Sequence, residues 1–444
     1  MNKSFIIGKI KKQRKTGKVG GGIYLKILTF SPEYPPLSVG GLARHVQPLS
    51  EELVRQGHEV TVITQSGQGS STEEVKNGVK IVRVNQPLVN ATDFTSSILQ
   101  INFEMIMAAG ALVLQGQDFD IIHGHDWLVI QAARALKHQL KIPLLMTIHA
   151  TEQGRNHGIW NEMQRYINDL EWLSCYEAWR VIVCSDYMKH EIQNLFQVPR
   201  DKIDIIENGV SPDEFQTTKV PAGFKKKYAH PNEKIVFFVG RLVQEKGVQV
   251  LVRAIPEILS QYSQVKFVIG GKGPKLEELK AQAKHLGVAD RCYFTGFISD
   301  EDRNNLYRIC DLAVFPSLYE PFGIVALEGM AAEAPVLITD VGGMGEIIED
   351  GVDGIKIAPN SPHELAQGVL RVLKNPALGE KIRAKGYKKV ENQYTWPGIA
   401  KKTDKVYQRV LNEYLDSTWG EEVVAPRADM NHSGERIEYR YRTK

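Results

Sequence analysis

From Leu25 onward, short runs of β-branched and aliphatic residues alternate with amphipathic stretches, and the alternation occurs twice in one chain. Such a rhythm is the signature of parallel α/β layers, because parallel strands need a crossover that is usually a helix. The first series runs through Leu25–Phe30, Val60–Thr64, Lys80–Val84, Ile121–His125, Pro143–His149 and Arg180–Ser185. Between the first two strands, Leu42, Val46, Leu49 and Leu53 recur at helical spacing, and Gly57 is placed as the left-handed stop. The rhythm restarts at Lys234–Gly240 and continues through Val265–Gly270, Cys292–Gly296, Leu312–Ser317 and Pro335–Thr339. After Gly354–Ile357 it becomes purely helical, near 361–374, 376–391 and 396–415.

A chain of 444 residues exceeds what one hydrophobic core holds. The expected division is a basic disordered arm, 1–24; one doubly wound unit, 25–210; a second, 211–395; a helix, 396–416; and a flexible tail, 417–444. The formal charge of +3 misleads, because Lys3, Lys9, Lys11, Lys12, Arg14, Lys15 and Lys18 precede any acidic residue. Without them 48 basic residues face 52 acidic ones, so the body is no polyanion-binding surface and nucleic acid is not an expected partner. Phe5-Ile6-Ile7 is too short for a secretory signal, and no uninterrupted apolar run of about eighteen residues suggests a spanning helix. Cys175, Cys184, Cys292 and Cys310 lack CxxC spacing and read as reduced thiols of a cytoplasmic protein.

Two open sheets in one chain imply a ligand cleft lined by the carboxyl ends of strands, so unusual residues should sit just after strands. Glu320-Pro321-Phe322-Gly323-Ile324 follows Leu312–Ser317, and Pro321 is placed to open a helix. The N–H groups of Phe322, Gly323 and Ile324 would then meet an anion. Glu320 suits sugar hydroxyls and Glu328, further in, a ribose diol; both also read as ordinary helix charges. Arg241 and Lys246 flank the loop after Ile235–Val239 and suit a diphosphate, or are two solvated loop cations. Gly271, in Gly270-Gly271-Lys272-Gly273, lets backbone approach a nucleotide or simply forms a tight turn.

In the first unit, Gly40-Gly41 opens a helix directly after a strand loop, yet the surroundings are neither GxGxxG nor GxxxxGK[ST]. His123, His125, Asp126 and His149 gather at two strand ends. His123 and His125 are expected on opposite faces of their strand, so no metal ion is expected between them. His149 is expected at the cleft, or as a histidine of the core.

These segments together resemble the retaining, family-four-type glycosyltransferases: Ser31-Pro32-Glu33-Tyr34-Pro35-Pro36 with Gly40-Gly41-Leu42-Ala43, His125-Asp126-Trp127, Gly240-Arg241-Leu242, Glu245-Lys246-Gly247, and Glu320 with Glu328. His123-Gly124-His125-Asp126-Trp127-Leu128 and Thr147-Ile148-His149 are similar to glycogen and starch synthases. The resemblance covers about residues 25–415. It implies a GT-B fold, two Rossmann-like domains facing a central cleft, with the last helix crossing back to the first. It also implies that His149, Glu320, Arg241 and Lys246 are catalytic. Gly40, Gly41, His125, Asp126, Gly271, Phe322, Gly323, Ile324 and Glu328 would bind substrate, and neither metal nor cofactor is needed. The implied donor is ADP-glucose or UDP-glucose and the acceptor an α-1,4-glucan. A lipid or small-molecule acceptor, with peripheral membrane contact, and a nucleotide-sugar epimerase of the same fold are the alternatives. The chain departs from the glycogen synthases at Leu37-Ser38-Val39-Gly40-Gly41, which lacks their lysine, and at Ala150-Thr151-Glu152-Gln153-Gly154-Arg155.

Overall fold

The structure, a computed structural model, describes residues 18–419 except 20–21, 39, 68–70, 86–92 and 217–218. Most of the arm and nearly all of the tail lie outside the described residues. Within the expected arm, Lys18–Val19 (β1) and Gly22–Ile23 (β2) pair antiparallel.

The first large sheet has eight strands: Lys26–Ser31 (β3), Glu59–Gln65 (β4), Thr72–Lys76 (β5), Val79–Val84 (β6), Ile121–His125 (β7), Leu144–Ile148 (β8), Arg180–Val183 (β9) and Ile203–Ile205 (β10). Their order is β10-β9-β8-β7-β3-β4-β6-β5, parallel throughout except for β5. The second sheet is parallel, in the order β13-β12-β11-β14-β15-β16. Its strands are Lys234–Val239 (β11), Val265–Gly270 (β12), Cys292–Gly296 (β13), Leu312–Phe315 (β14), Val336–Thr339 (β15) and Ile355–Ile357 (β16). Buried on both faces for most of their length, β3, β4, β11 and β12 are built mainly of apolar and β-branched residues on both sides. β5 is exposed along its whole length and carries no such signal. It forms through the turn Asn77-Gly78, where both residues have positive φ, the geometry of a two-residue hairpin.

In each sheet the strand order reverses beside the first strand, β3 in one and β11 in the other. Ligands bind in the crevice beyond the carboxyl ends of strands at such a reversal. The loops after β3 and β11 are those that carry Gly40-Gly41 and Arg241–Gly247.

Helices Phe94–Leu114, Ile130–Leu140 and Glu162–Glu177 cover one face of the first sheet, and Gly41–Arg55 and Trp396–Asp416 pack on the other. Helix Phe94–Leu114 is long and apolar enough to cross a membrane by length and composition. It joins β6 to β7 of one sheet, so both ends return to the same layer and it lies along that sheet. The final helix reaches the first unit through Tyr407, whose hydroxyl is 2.7 Å from His123 Nδ1, and through Glu413, which accepts the Trp179 indole N–H at 2.9 Å. All four cysteines are free, and burial raises their thiol pKa values.

Candidate active site

The loop after β11 is pinned before it presents any side chain. Gly247 adopts positive φ, and a Cβ there would run into the Pro316 carbonyl. The Leu318 N–H donates to the Glu245 carbonyl at 2.7 Å. Drawn against the segment after β14, Lys246 places Nζ 2.6 Å from Glu320 Oε2, with both side chains largely buried. Arg241 is half exposed, its nearest carboxylate Glu245 at 3.6 Å.

The helix near Glu320 starts later than the sequence suggests. It spans Ile324–Ala331 with Gly323 as its cap at φ 101°, so Pro321 is not its first residue. The conformation open to Gly323 interrupts helical geometry, and the Pro321 carbonyl instead accepts the Ser185 hydroxyl of the other unit at 2.7 Å. Phe322 is a core residue beside Tyr394 and not a side chain of the cleft. Ile324, by contrast, meets the first unit: a Cβ on Gly41 would stand 3.5 Å from Ile324 Cδ1. Two helix starts, Gly41–Arg55 and Ile324–Ala331, thus face each other across the cleft, each with first-turn N–H groups lacking intrahelical acceptors. Gly40 lies one residue before, its N–H donating to Glu33 Oε2 at 3.2 Å. The Gly271 N–H donates to the Gly296 carbonyl at 2.8 Å, and a Cβ there would strike the Gly240 carbonyl. This glycine joins two loops and offers no donor to a ligand.

Glu328 is buried in the Ile324–Ala331 helix and is not a solvated helix charge. Its Oε1 accepts Arg44 Nη1 of the first unit at 2.6 Å; Arg303 Nη1 is 4.0 Å away, and the Tyr307 hydroxyl is 3.4 Å from Oε2. Arg44 also pairs with Asp300 at 2.8 Å. Asp186 and Tyr187 donate their N–H groups to Glu346 from across the cleft at 3.0 and 2.8 Å, and a carboxylate suits that helix start.

His123 and His125 share one face of β7, contrary to the expectation of opposite faces, because side chains two residues apart on a strand point the same way. Their ring centroids are 4.2 Å apart. His123 is held by Tyr407 and Thr147, each at 2.7 Å. His125 is buried with Nδ1 3.3 Å from His149 Nε2, so it backs His149 and does not itself line the cleft. Asp126, at φ 61°, accepts the His149 N–H at 2.8 Å and fixes the strand end that presents this imidazole. His45 completes the cluster. Its Nδ1 is 2.7 Å from Asn208 Oδ1, and its buried Nε2 has no partner. One ring nitrogen from each of His45, His125 and His149 lies within 4.8 Å of the others, the donor set a divalent ion would take.

Burial favours the neutral form of all four imidazoles. It lowers His149 to about 4 and His123 to about 3, and holds His45 and His125 well below the usual value. Unfolded histidines titrate near ~6.5, so the stability these groups confer is complete above that pH and falls as pH drops toward about 4. Burial raises Asp126 to about 6 and Glu171 to about 8, which acts in the opposite sense, but these are two groups against four. The thermal midpoint should therefore fall between pH 6.5 and about 4; a midpoint constant over that range would contradict the neutral cluster.

The sequence reading missed Arg44 and His45, although both lie in the first turns after Gly40-Gly41. It also missed Glu191 and Tyr319. The Tyr319 hydroxyl donates to Glu191 Oε1 at 2.9 Å, and both border a cavity of about 210 Å³ between the units, with Gln153, His157, Tyr187 and Gly342.

Comparison with known proteins agrees with this geometry. Residues 39–214 match the model of Glycosyltransferase Family 4, and residues 222–389 that of Glycosyl transferases group 1. An uncharacterized glycosyltransferase of Methanocaldococcus jannaschii is 39% identical over 388 residues, covering 86% of this chain and 98% of its own. A glycogen synthase of Mycobacterium tuberculosis is 33% identical over 397 residues, covering 86% and 94%. Among solved structures, a sucrose-phosphate synthase of Thermosynechococcus elongatus superposes with a TM-score of 0.75 at 23% identity, covering 88% of this chain and all of that one. The chain is a GT-B glycosyltransferase and belongs to the family-four, group 1 glycosyltransferases.

Proposed function

We propose that this glycosyltransferase is a retaining hexosyltransferase that moves glucose from ADP- or UDP-glucose to an α-1,4-glucan. One observation carries the reading: the Lys246–Glu320 pair at 2.6 Å, set beside two facing helix starts. A diphosphate entering there exchanges Glu320 for itself as the partner of Lys246, with Arg241 as second cation. Glu320 is thereby released toward a sugar hydroxyl. Glu328 takes the ribose, and the neutral His149 faces the reacting sugar from the other unit.

In the reaction the bond from the anomeric carbon to the diphosphate oxygen breaks and a bond to the acceptor oxygen forms on the same face. The acceptor proton passes to the departing phosphate. Negative charge develops on that phosphate, where Lys246, Arg241 and the helix N–H groups are already oriented, so electrostatic preorganisation supplies the rate. We assign no metal or cofactor to these steps, and chelator should leave turnover unchanged. Four free thiols fit a cytoplasmic setting. The 33% identity to a glycogen synthase supports the glucan acceptor. A lipid acceptor is the second reading, favoured by Leu99, Phe103, Met107 and Leu114, which are exposed along helix Phe94–Leu114.

The test offers ADP-, UDP- and GDP-sugars with glycogen, maltooligosaccharides, lipid acceptors and small phosphorylated acceptors, following release of nucleoside diphosphate. The reading expects ADP- or UDP-glucose to extend the glucan. Turnover confined to lipid or phosphorylated acceptors would replace the glucan assignment.

A further inference from the structure

Three imidazoles meet on the first unit's side of the cleft, and the transfer reaction uses only one of them. His45 sits in the first turns of helix Gly41–Arg55, His125 ends β7 and His149 follows β8. One ring nitrogen of each lies within 4.8 Å of the other two. His125 Nδ1 and His149 Nε2 are 3.3 Å apart. Two nitrogens bound to one tetrahedral ion, each at about 2.0–2.1 Å, stand about 3.3 Å from one another. The three side chains hang from regular elements, so their arrangement precedes any ion.

His45 keeps a buried lone pair with nothing to bond. Its Nδ1 is 2.7 Å from Asn208 Oδ1, an oxygen that only accepts, so the proton sits on Nδ1 and Nε2 is bare. That Nε2 is buried without a partner, in a side chain only 4% exposed. Asn208 does for His45 what an outer oxygen does for a metal-bound histidine: it takes the far N–H and so fixes tautomer and ring orientation. Asp126 Oδ1, accepting the His149 backbone N–H at 2.8 Å, fixes where the neighbouring imidazole begins.

The donor set selects the ion. Three imidazoles and no carboxylate suit zinc and its neighbours, whereas magnesium and calcium require oxygen. Burial keeps all three rings in the neutral, ligating form. The proton between His125 and His149 moves to the far nitrogen of its own ring, so ligation leaves both neutral. His123 is no ligand, because Tyr407 and Thr147 engage both of its nitrogens at 2.7 Å. Of the three rings only that of His149 is partly exposed, so the fourth position of the tetrahedron opens toward the cleft.

We propose that His45, His125 and His149 bind one divalent transition ion of the zinc class, taken up from the cleft, and that the ion stops transfer by holding His149 away from the reacting sugar. The inhibitory half rests on the place given to His149 in the proposed reaction; the binding half does not. No step of transfer needs the ion, so chelator leaves the metal-free enzyme as it is and restores the loaded one. A cluster closed only by its own hydrogen bonds fits less well, because it leaves His45 Nε2 unpaired.

The experiment titrates the metal-free full chain with Co²⁺, whose visible absorption reports a tetrahedral nitrogen site. One ion per chain should bind; Zn²⁺ should displace it and excess Mg²⁺ should not. His45→Gln should weaken Co²⁺ binding roughly 100-fold or more, and Asn208→Ala, which keeps all three imidazoles, roughly 10–100-fold. Thermal melts establish that each variant is folded. In the wild type Zn²⁺ should abolish transfer and chelator should restore it, and the Zn²⁺ needed for half inhibition should rise in Asn208→Ala by the same factor as Co²⁺ affinity falls. A metal-free wild type with no tetrahedral Co²⁺ spectrum overturns the proposal. So does Co²⁺ binding of wild-type affinity in folded His45→Gln, which puts the ion elsewhere. Binding at the cluster with transfer untouched overturns the inhibition and takes His149 off the reacting sugar. The Co²⁺ spectrum needs no substrate, so it reads the site whichever donor and acceptor the enzyme uses.

Discussion

Lys246→Ala lowers kcat/KM for a nucleotide sugar by roughly 10²–10³-fold, about 3–4 kcal/mol of transition-state stabilisation, while the protein still folds. The ammonium sits 2.6 Å from Glu320, at the point where the proposed reaction concentrates negative charge. Alanine leaves the leaving phosphate with Arg241, which is half exposed and 3.6 Å from Glu245, and leaves Glu320 without its cation. The loss should appear mainly in kcat, because charge on the phosphate grows during the chemical step. Steady-state kinetics at saturating donor, with a thermal melt to establish folding, checks it. Near-normal turnover would remove Lys246 from the diphosphate site.

Glu328→Ala has two separable effects. Arg303, almost fully buried, and Arg44 both lose a carboxylate. Removing one member of a buried ionic group costs roughly 3 kcal/mol, a fall of about 6–12 °C in thermal midpoint. The second effect is on the donor. The ribose lies far from the reacting carbon, so its lost contact should raise donor KM about tenfold or more with a smaller change in kcat. A fall in melting temperature with donor KM unchanged would make Glu328 a tie between the units and not a ribose ligand. Glu328→Gln, which keeps the volume, separates loss of charge from loss of packing.

The strands that frame the site were legible because burial on both faces demands runs made mainly of apolar and β-branched residues, as in Lys26–Ser31 and Lys234–Val239. The residues after those strands were legible for the same reason, since a motif cannot be placed before its strand is found. β5 was not legible, because Thr72–Lys76 buries nothing and forms only through its Asn77-Gly78 turn. The start of the Ile324 helix was misplaced because a proline is a common opening residue, while Gly323, where a Cβ would strike Met344, takes a positive φ that stops the helix short of it. Arg44 and Glu328 are 284 positions apart, and no local pattern pairs them. His45 was overlooked because its partners, Asn208 and His149, come from other strand ends.

The measurement that tests the central claim most directly is the anomeric configuration of the product, read by proton NMR from the first turnovers with an α-configured nucleotide sugar. Front-face transfer between the facing helix starts predicts an α-linked product, with the small coupling of an equatorial anomeric proton. A β-linked product would contradict it.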